Sequence, residues 1–302
     1  MDFEITPLTD KGVPRVVALC RDALDLPEDA AEAAPIVARL REQPGIGFLA
    51  TLGEDTVGAV LGSVSHRDPT VGHIDLVAVH PDARRRGLGR ALIGRIEAAL
   101  AGRGASDVLL AGNPPYYAWP GIDVRYTPAV CLAMALGFEE DRTAWNMTAD
   151  LSRDDAPGLR PTDAAERRLA AEGITVRRAE PEDIATLVEF TRVTFGGSWT
   201  GEVEHSVDRA GAGCFFAVRD SGEILGFAAY GSSRPTWFGP MGTAPAAQGL
   251  GIGSVLIRSC LREQRAAGIT SAEIGWVGPV PFYARTVGAR IQRVFFLYRK
   301  QL

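Results

Sequence analysis

The chain contains the stretch Pro81-Asp82-Ala83-Arg84-Arg85-Arg86-Gly87-Leu88-Gly89-Arg90, and it repeats the pattern in Pro245-Ala246-Ala247-Gln248-Gly249-Leu250-Gly251-Ile252-Gly253. Each stretch has an Arg or Gln, two further residues, a Gly, one residue and a second Gly. Apolar residues at helical spacing follow, over 91–101 in the first case and 254–266 in the second. Both stretches therefore predict a glycine turn that leads into a helix.

The segments around the two turns repeat as well. A predicted strand hairpin precedes each turn, over 48–60 and over 215–227, and a third strand-like segment leads into the turn itself. Another strand follows each helix, at 107–111 and at 272–276. The same order of parts occurring twice predicts two copies of one α/β fold.

The length of the chain agrees with two copies. At about 150 residues per domain, 302 residues predict two domains. A polar, turn-forming segment with a short predicted helix separates the copies. We therefore predict an N-terminal domain over 1–152, a linker over 153–172 and a C-terminal domain over 173–302.

Composition excludes several classes of function. The net charge of -5 disfavours nucleic acid as a partner. No apolar run approaches the roughly eighteen residues of a membrane span, and the acidic start of the chain is unlike a secretion signal, so we expect a cytoplasmic protein. The cysteines are scattered singly and are expected to be buried. The histidines lack a metal-binding spacing, so no metal site is expected.

A glycine turn before a helix presents free backbone N–H groups and the positive end of the helix dipole, which together bind anions. Neither turn contains the lysine of a nucleotide-triphosphatase loop. A dinucleotide-binding turn would need a third glycine where Leu92 and Leu256 stand. Four arginines add positive charge to the first turn, and the pattern favours a pyrophosphate ligand.

Both turns resemble the acetyl-CoA pyrophosphate loop of the GNAT superfamily of N-acetyltransferases, and their repetition resembles the double-GNAT enzymes of the mycothiol-synthase type. The resemblance implies an α/β fold of two tandem GNAT-like domains, each a mixed, mainly antiparallel twisted sheet flanked by helices. It implies acetyl-CoA as the acyl donor. The residues it assigns to acetyl-CoA are Val77, Val79, Arg84, Arg85, Arg86, Gly87, Leu88, Gly89 and Arg90 in the first copy, and Met241, Thr243, Gln248, Gly249, Gly251, Ile252, Gly253 and Ser254 in the second.

The resemblance also implies a mechanism in which the amine of a small molecule attacks the thioester directly in a ternary complex. A backbone N–H of the strand before each turn is expected to hold the carbonyl oxygen. Tyr283 matches the family's tyrosine that protonates the leaving thiolate, and its alternative role is to anchor a helix to the core. The matching segment of the first copy, 132–138, has no tyrosine.

Each copy contains candidates for the general base that would deprotonate the amine. Asp75 and His73 are the candidates in the first copy, and for Asp75 a solvated edge-strand acid is the alternative. Glu273 is a weaker candidate in the second copy, because its side chain could equally point to water. Trp276 is a candidate for shaping the acceptor site of that copy.

An aromatic loop over 113–126 of the first copy is expected to lie over the acetyl end of the site. Tyr117, Asp123 or Tyr126 would then line a substrate pocket or donate a proton, and the alternative is a lid packed on its own side chains.

The tyrosine favours the second copy as the catalytic one, while the reverse assignment stays open. A non-catalytic protein that binds acyl-CoA or a partner is a further alternative. Both a monomer and a homodimer are compatible with the sequence.

Overall fold

The computed structural model describes residues 3–197 and 199–302. Contacts within the chain divide it into two compact units. Unit 1 contains the residues up to Ala144 together with Val294–Leu302, and unit 2 contains Trp145–Arg293.

Unit 1 is built around a sheet in which the strand order is β1-β2-β3-β4-β5. Neighbouring strands are antiparallel except β4 and β5, which are parallel. Its elements are β1 (Glu4–Pro7), α1 (Val13–Ala23), α2 (Pro27–Ala31), α3 (Ala33–Arg41), β2 (Gly45–Leu52), β3 (Asp55–Val64), β4 (Val71–Val79), α4 (Leu88–Ala101), β5 (Asp107–Leu110), β6 (Ile122–Asp123), α5 (Thr127–Ala135) and β7 (Glu139–Asp150), which continues into unit 2.

Unit 2 repeats this plan with the order β8-β9-β10-β11-β12, and again only the last pair is parallel. Its elements are α6 (Asp163–Ala171), β8 (Ile174–Arg178), α7 (Ile184–Phe195), α8 (Thr200–Asp208), β9 (Gly213–Arg219), β10 (Ile224–Tyr230), β11 (Trp237–Thr243), α9 (Ile252–Ala266), β12 (Ser271–Ile274), α10 (Val280–Val287) and β13 (Arg290–Gln301), whose final residues belong to unit 1.

Helices cover both faces of each sheet. In unit 1 the apolar side of α4, including Leu92, Ile96 and Leu100, is buried against one face, while α1 and α3 cover the other. In unit 2 α9 lies on one face, and α7 and α8 lie on the other. The predicted fold class, two tandem α/β domains with mixed and mainly antiparallel sheets, is confirmed.

The division of the chain differs from the predicted ranges of 1–152, 153–172 and 173–302. Residues 298–301 of β13 pair with β5 and so attach the end of the chain to unit 1. Residues 147–150 of β7 pair with β12 in unit 2. The polar segment near 153 is therefore a loop inside unit 2, because strand pairing decides where each unit ends.

Three of the cysteines, Cys20, Cys214 and Cys260, are buried as expected. The expectation was wrong for Cys131, which is exposed. It lies on α5 one turn before Met134, which is also exposed, so this side of the helix faces away from the core.

Candidate functional site

Two neighbouring strands of unit 1 separate at the middle of the sheet. The parallel pairing of β4 with β5 ends at His73 and Leu109, whereas β4 continues for six more residues to Val79. The edge of β4 beyond His73 is therefore open toward β5, and a cleft forms where the ladder stops.

Main-chain groups alternate between the two edges of a strand, which identifies those that face the cleft. His80 donates its backbone N–H to Val57 on β3 at 2.9 Å, so Val77 and Val79 direct theirs to the opposite, open edge. These are the two strand residues that the sequence assigned to the acyl donor.

The first glycine turn lies directly after this open edge. Arg85 and Gly87 both have left-handed backbones, with φ of 62° and 83°, and α4 begins at Leu88. Among the described residues, no side chain caps the helix, and a Cβ built on Gly87 would meet no atom within 4 Å. The first backbone N–H groups of α4 are thus uncapped beside open space, which suits an anionic ligand.

The arginines of this turn divide into two roles. Arg84 donates to the Val79 carbonyl at 3.2 Å and to the Ala23 carbonyl at 2.9 Å, and its guanidinium pairs with Asp25 at 3.0 Å. It therefore ties the end of β4 to the end of α1. Arg85 and Arg90 are exposed and remain able to contact a ligand.

A cavity of about 640 Å³ occupies the cleft of unit 1. It brings together most of the residues predicted for the first copy. These are Asp75, Val77, Val79, Arg84, Arg85, Gly87, Leu88, Gly89, Arg90, Tyr117, Asp123 and Tyr126. Arg86 is exposed on the same turn.

Asp75 is placed in this cavity by an irregularity of the sheet. The register of β3 and β4 shifts between the pairs Leu61–Leu76 and Gly62–Ile74, so Asp75 is the extra residue of a bulge. Such a bulge redirects a side chain. Its Oδ1 atom is buried and accepts no hydrogen bond from the described residues. Burial raises the pKa of the Asp75 carboxyl to about 8, and a hydrogen bond from Ser63 acts in the opposite direction.

A buried network of polar side chains contacts Asp75 through the Ser63 hydroxyl. Asn113, 2% exposed, donates to the Ser63 hydroxyl oxygen at 2.9 Å and to the Val64 carbonyl at 3.1 Å. Because Ser63 accepts this bond, its own hydrogen is left to point at Asp75. Gln43, which contacts Asn113 at 3.4 Å, extends the network to His66 at 3.0 Å. Ser63, Gln43 and His66 were not predicted as part of the site, although polar side chains beside apolar segments were a visible signal.

Residues of α3 and of the turn after it form hydrogen bonds with the aromatic loop. Arg39, almost fully buried, donates to the Pro115 carbonyl at 2.5 Å and lies 4.9 Å from the centre of the Tyr116 ring. Gln43 donates to the Tyr116 carbonyl at 3.3 Å. The loop therefore has fixed contacts with the body of unit 1 as well as lining the cavity.

Other candidates of the first copy already have partners. Asp123 pairs with Arg125 at 2.8 Å, and Tyr126 donates to Asp29 at 3.0 Å. His73 lies 2.9 Å from the Ala111 carbonyl through Nδ1, and burial lowers its pKa. His73 is therefore neutral at physiological pH and is fixed to the loop side of the cleft.

The second glycine turn reproduces the backbone of the first. Gly249 and Gly251 have φ of 88° and 86°, and α9 begins at Ile252 without a side-chain cap. Ala244 donates its N–H to Leu225 at 2.8 Å, which leaves Met241 and Thr243 facing the opposite edge of β11, beyond the last β12 pair at Phe238 and Ile274. The remaining predicted residues, Gln248, Gly253 and Ser254, lie on this turn and the first turn of α9, and none of them carries a charge.

Tyr283 lies on α10, 7% exposed, with its ring edge-on to Phe238 and Phe282 at 6.3 and 5.2 Å. Burial raises the pKa of its hydroxyl well above the ordinary range. Tyr283 therefore keeps its proton throughout the physiological range, which suits a proton donor and not a base.

Glu273 lies in a buried group of polar side chains in unit 2. Asn146 donates to it at 2.5 Å, and Arg293 pairs with it at 3.4 Å. Asn146 also accepts the backbone N–H of Trp276, whose φ is 50°. Both carboxylate oxygens of Glu273 are thus engaged by side chains of unit 2.

Among residues 3–197 and 199–302, no three His, Cys, Asp or Glu side chains are grouped so as to hold a metal ion. The helices in the same ranges are all too short or too polar to cross a bilayer.

Comparison with models of known protein families matches residues 16–117 and 184–288, one range in each unit, to the acetyltransferase (GNAT) family. The chain belongs to that family. The resemblance predicted from the two glycine turns is thereby confirmed.

Similar proteins cover most of this GNAT chain. A mycothiol acetyltransferase of Thermomonospora curvata is 29% identical over 283 residues, which cover 87% of this chain and 84% of the relative. A mycothiol acetyltransferase of Mycolicibacterium paratuberculosis is 32% identical over 249 residues, covering 70% and 71%.

Solved structures share the fold of this GNAT protein. A tandem GNAT protein from the clavulanic acid biosynthesis pathway has a TM-score of 0.69 at 18% identity, covering 99% of this chain and 98% of its own. A GCN5-related N-acetyltransferase from Sphaerobacter thermophilus has a TM-score of 0.70 at 20% identity, covering 99% and 95%. At these identities the likeness concerns the fold alone.

Proposed function

We propose that this protein transfers an acetyl group from acetyl-CoA to the amine of a small molecule, and that the reaction takes place in the cleft of unit 1. One observation carries the proposal. The uncapped N-terminus of α4, the open edge of β4 and the carboxyl of Asp75 line a single cavity. An anion site, a main-chain donor and a proton acceptor are the three parts that acyl transfer to an amine requires.

The residues of the turn fit the diphosphate of coenzyme A. The first N–H groups of α4 would bind its oxygens, and Arg85 and Arg90 would add charge from the exposed side of the turn. The open edge of β4 at Val77 and Val79 would hold the extended arm that leads to the thioester. When bound, acetyl-CoA supplies the activated acetyl group.

Asp75 accepts the proton that the substrate ammonium must lose before its nitrogen can attack. A pKa of about 8 makes this carboxylate a stronger base than an exposed aspartate. The Val77 N–H donates to the carbonyl oxygen as negative charge develops there. The new C–N bond forms while the C–S bond breaks, and the leaving sulfur takes up a proton. Tyr117, buried on the wall of the same cavity, is the donor we assign to that step.

Unit 2 is the second candidate for the place of reaction, because Tyr283 stands where the family's proton donor is expected. Against it, the carboxylate of Glu273 is engaged by Arg293 and Asn146. We assign unit 2 a coenzyme-binding and structural role. A cytoplasmic location and a small-molecule partner complete the proposal.

Thiol release tests the proposal directly. Purified protein is incubated with acetyl-CoA and a panel of primary amines, and free coenzyme A is measured with a thiol reagent. We expect release that depends on the amine. Binding of coenzyme A by calorimetry without release for any amine would instead support the non-catalytic alternative.

A further inference from the structure

The gap between β4 and β5 is open to both faces of the sheet in unit 1. Ile93 and Ala133 line the cavity from the α4 and α5 side. Leu24, Leu40 and Leu76 line it from the α1 and α3 side. The turn that fits the diphosphate lies at the start of α4, so the acyl donor takes the first side and leaves the second to the acceptor.

The acceptor side has an apolar wall made by several elements. Leu24 follows α1, Leu40 lies on α3, and Leu76 lies on β4 beside the base. All three are buried, and each lines the cavity. The aromatic loop closes the wall with Tyr117, Ala118 and Trp119.

The polar groups on this side are mostly engaged with one another. Asp25 pairs with Arg84, Asp123 pairs with Arg125, and the Tyr126 hydroxyl donates to Asp29. Asp75 and Trp119 differ, because one carboxyl oxygen of Asp75 and the indole N–H of Trp119 have no hydrogen-bond partner among the described residues. The wall therefore offers one acidic group to an ammonium and, apart from the Trp119 N–H and the Tyr117 hydroxyl, few partners to the hydroxyl groups of a sugar.

We propose that the acceptor in unit 1 is a primary amine carried on an apolar body, such as a cycloalkyl or aryl group, and not a polyhydroxylated amine such as an amino sugar. The inference rests on the proposed function and specifies its substrate. The ammonium lies at Asp75, and the body packs against the leucines and the aromatic loop. Each sugar hydroxyl buried there without a partner would lower affinity roughly tenfold.

Cyclohexylamine and glucosamine test this, because both place an amine on a six-membered ring and glucosamine adds a ring oxygen and four hydroxyl groups. With acetyl-CoA saturating, kcat/KM is measured for each by thiol release. We expect cyclohexylamine to be favoured by about a hundredfold, the effect of leaving two of the four hydroxyls without a partner. Equal or faster release with glucosamine would overturn the apolar acceptor and leave the acetyltransferase reaction standing. No release with any amine would overturn the proposed function and the inference with it.

A variant of the cavity wall tests whether the preference for an apolar amine arises in unit 1. Leu24→Asn puts a polar amide into the wall at a position near the end of a helix, where the fold tolerates it better than in the centre of the core. We expect kcat/KM for cyclohexylamine to fall about tenfold, with the affinity for coenzyme A unchanged. Unchanged cyclohexylamine kinetics would overturn the placement. Leu40→Asn repeats the test from α3, and the melting temperature and coenzyme A binding show that each variant is folded.

Discussion

The glycine turns of the two units place left-handed residues at the same two positions, Arg85 and Gly87 in unit 1, and Gly249 and Gly251 in unit 2. The two turns differ in charge. Unit 1 has four arginines between 84 and 90, whereas unit 2 has no charged residue between 248 and 254. A shared backbone therefore provides the same anion site twice, and the side chains decide how strongly each site attracts a polyanion.

The strands before the turns show a similar division. Both contain a bulge at the matching position, with Asp75 on β4 and Gly239-Pro240 on β11. Unit 1 thus has a carboxyl where unit 2 has no ionisable group, while unit 2 has Tyr283 where unit 1 has no tyrosine. The two units share a backbone fold and differ in their ionisable side chains, which is why we assign different roles to them.

The largest effect is expected at Asp75. Asp75→Asn keeps the shape of the side chain and removes the proton acceptor, so kcat should fall by about 10² or more. Coenzyme A affinity, measured by calorimetry, should not change. In the parent protein kcat/KM should rise with pH toward a plateau above about pH 8, because only the carboxylate acts as a base. Full activity of the variant would remove the assignment to unit 1.

The next largest effect distinguishes the two anion sites. A β-branched residue strongly disfavours a left-handed backbone, so Gly87→Val and Gly251→Val should each distort one turn. We expect each change to weaken coenzyme A binding at its own unit by about tenfold, and only Gly87→Val to lower kcat/KM for acetyl-CoA in thiol release by a similar factor. If Gly251→Val alone stopped the reaction, the roles of the units would be reversed.

A smaller effect is expected at Ser63, which supports Asp75. Ser63→Ala removes the hydroxyl that stabilises the carboxylate and should raise the pKa of Asp75 further. The rising limb of kcat/KM should then move to higher pH, with a loss of roughly tenfold at neutral pH for a shift of about one pKa unit. Ser63→Thr keeps the hydroxyl and serves as the control. A uniform loss at all pH values would indicate a structural role instead.

Charge on the first turn should have a weaker influence. Arg90→Gln removes an exposed cation and should reduce coenzyme A affinity at unit 1 about threefold at low salt. The difference should disappear as sodium chloride is raised, because salt screens exposed charges. The matched change in unit 2, Ser254→Arg, should increase affinity there with the same salt dependence, measured by calorimetry in a Gly87→Val background.

The smallest effect is expected at Tyr283. Tyr283→Phe should leave kcat for the amine reaction within about twofold, since the packing of the ring is retained and the reaction lies in unit 1. Stopped-flow or steady-state thiol release checks this. A loss comparable to that of Asp75→Asn would place the proton donor, and the reaction, in unit 2.

Local sequence patterns predicted much of this molecule and missed what depends on distant contacts. The hairpins and glycine turns follow from residues close together in the chain, so their existence could be read directly. The pKa of Asp75 depends on a bulge and on a network reaching Asn113, which no local pattern indicates. Glu273 was predicted to be a general base from its position in the sequence alone. Its partner Arg293 lies twenty residues further along the chain, beyond the reach of a local pattern.

The placement of residues 294–302 in unit 1 has a consequence for how the protein is made. The ribosome completes Ala144 long before it reaches Val294, yet β5 receives its second neighbour only from residues 298–301. The unit that emerges first therefore completes its sheet late, and a chain that stopped before residue 298 would lack a strand of that unit. Expression of the first 144 residues alone would yield a product in which β5 pairs with β4 and has an open edge on its other side.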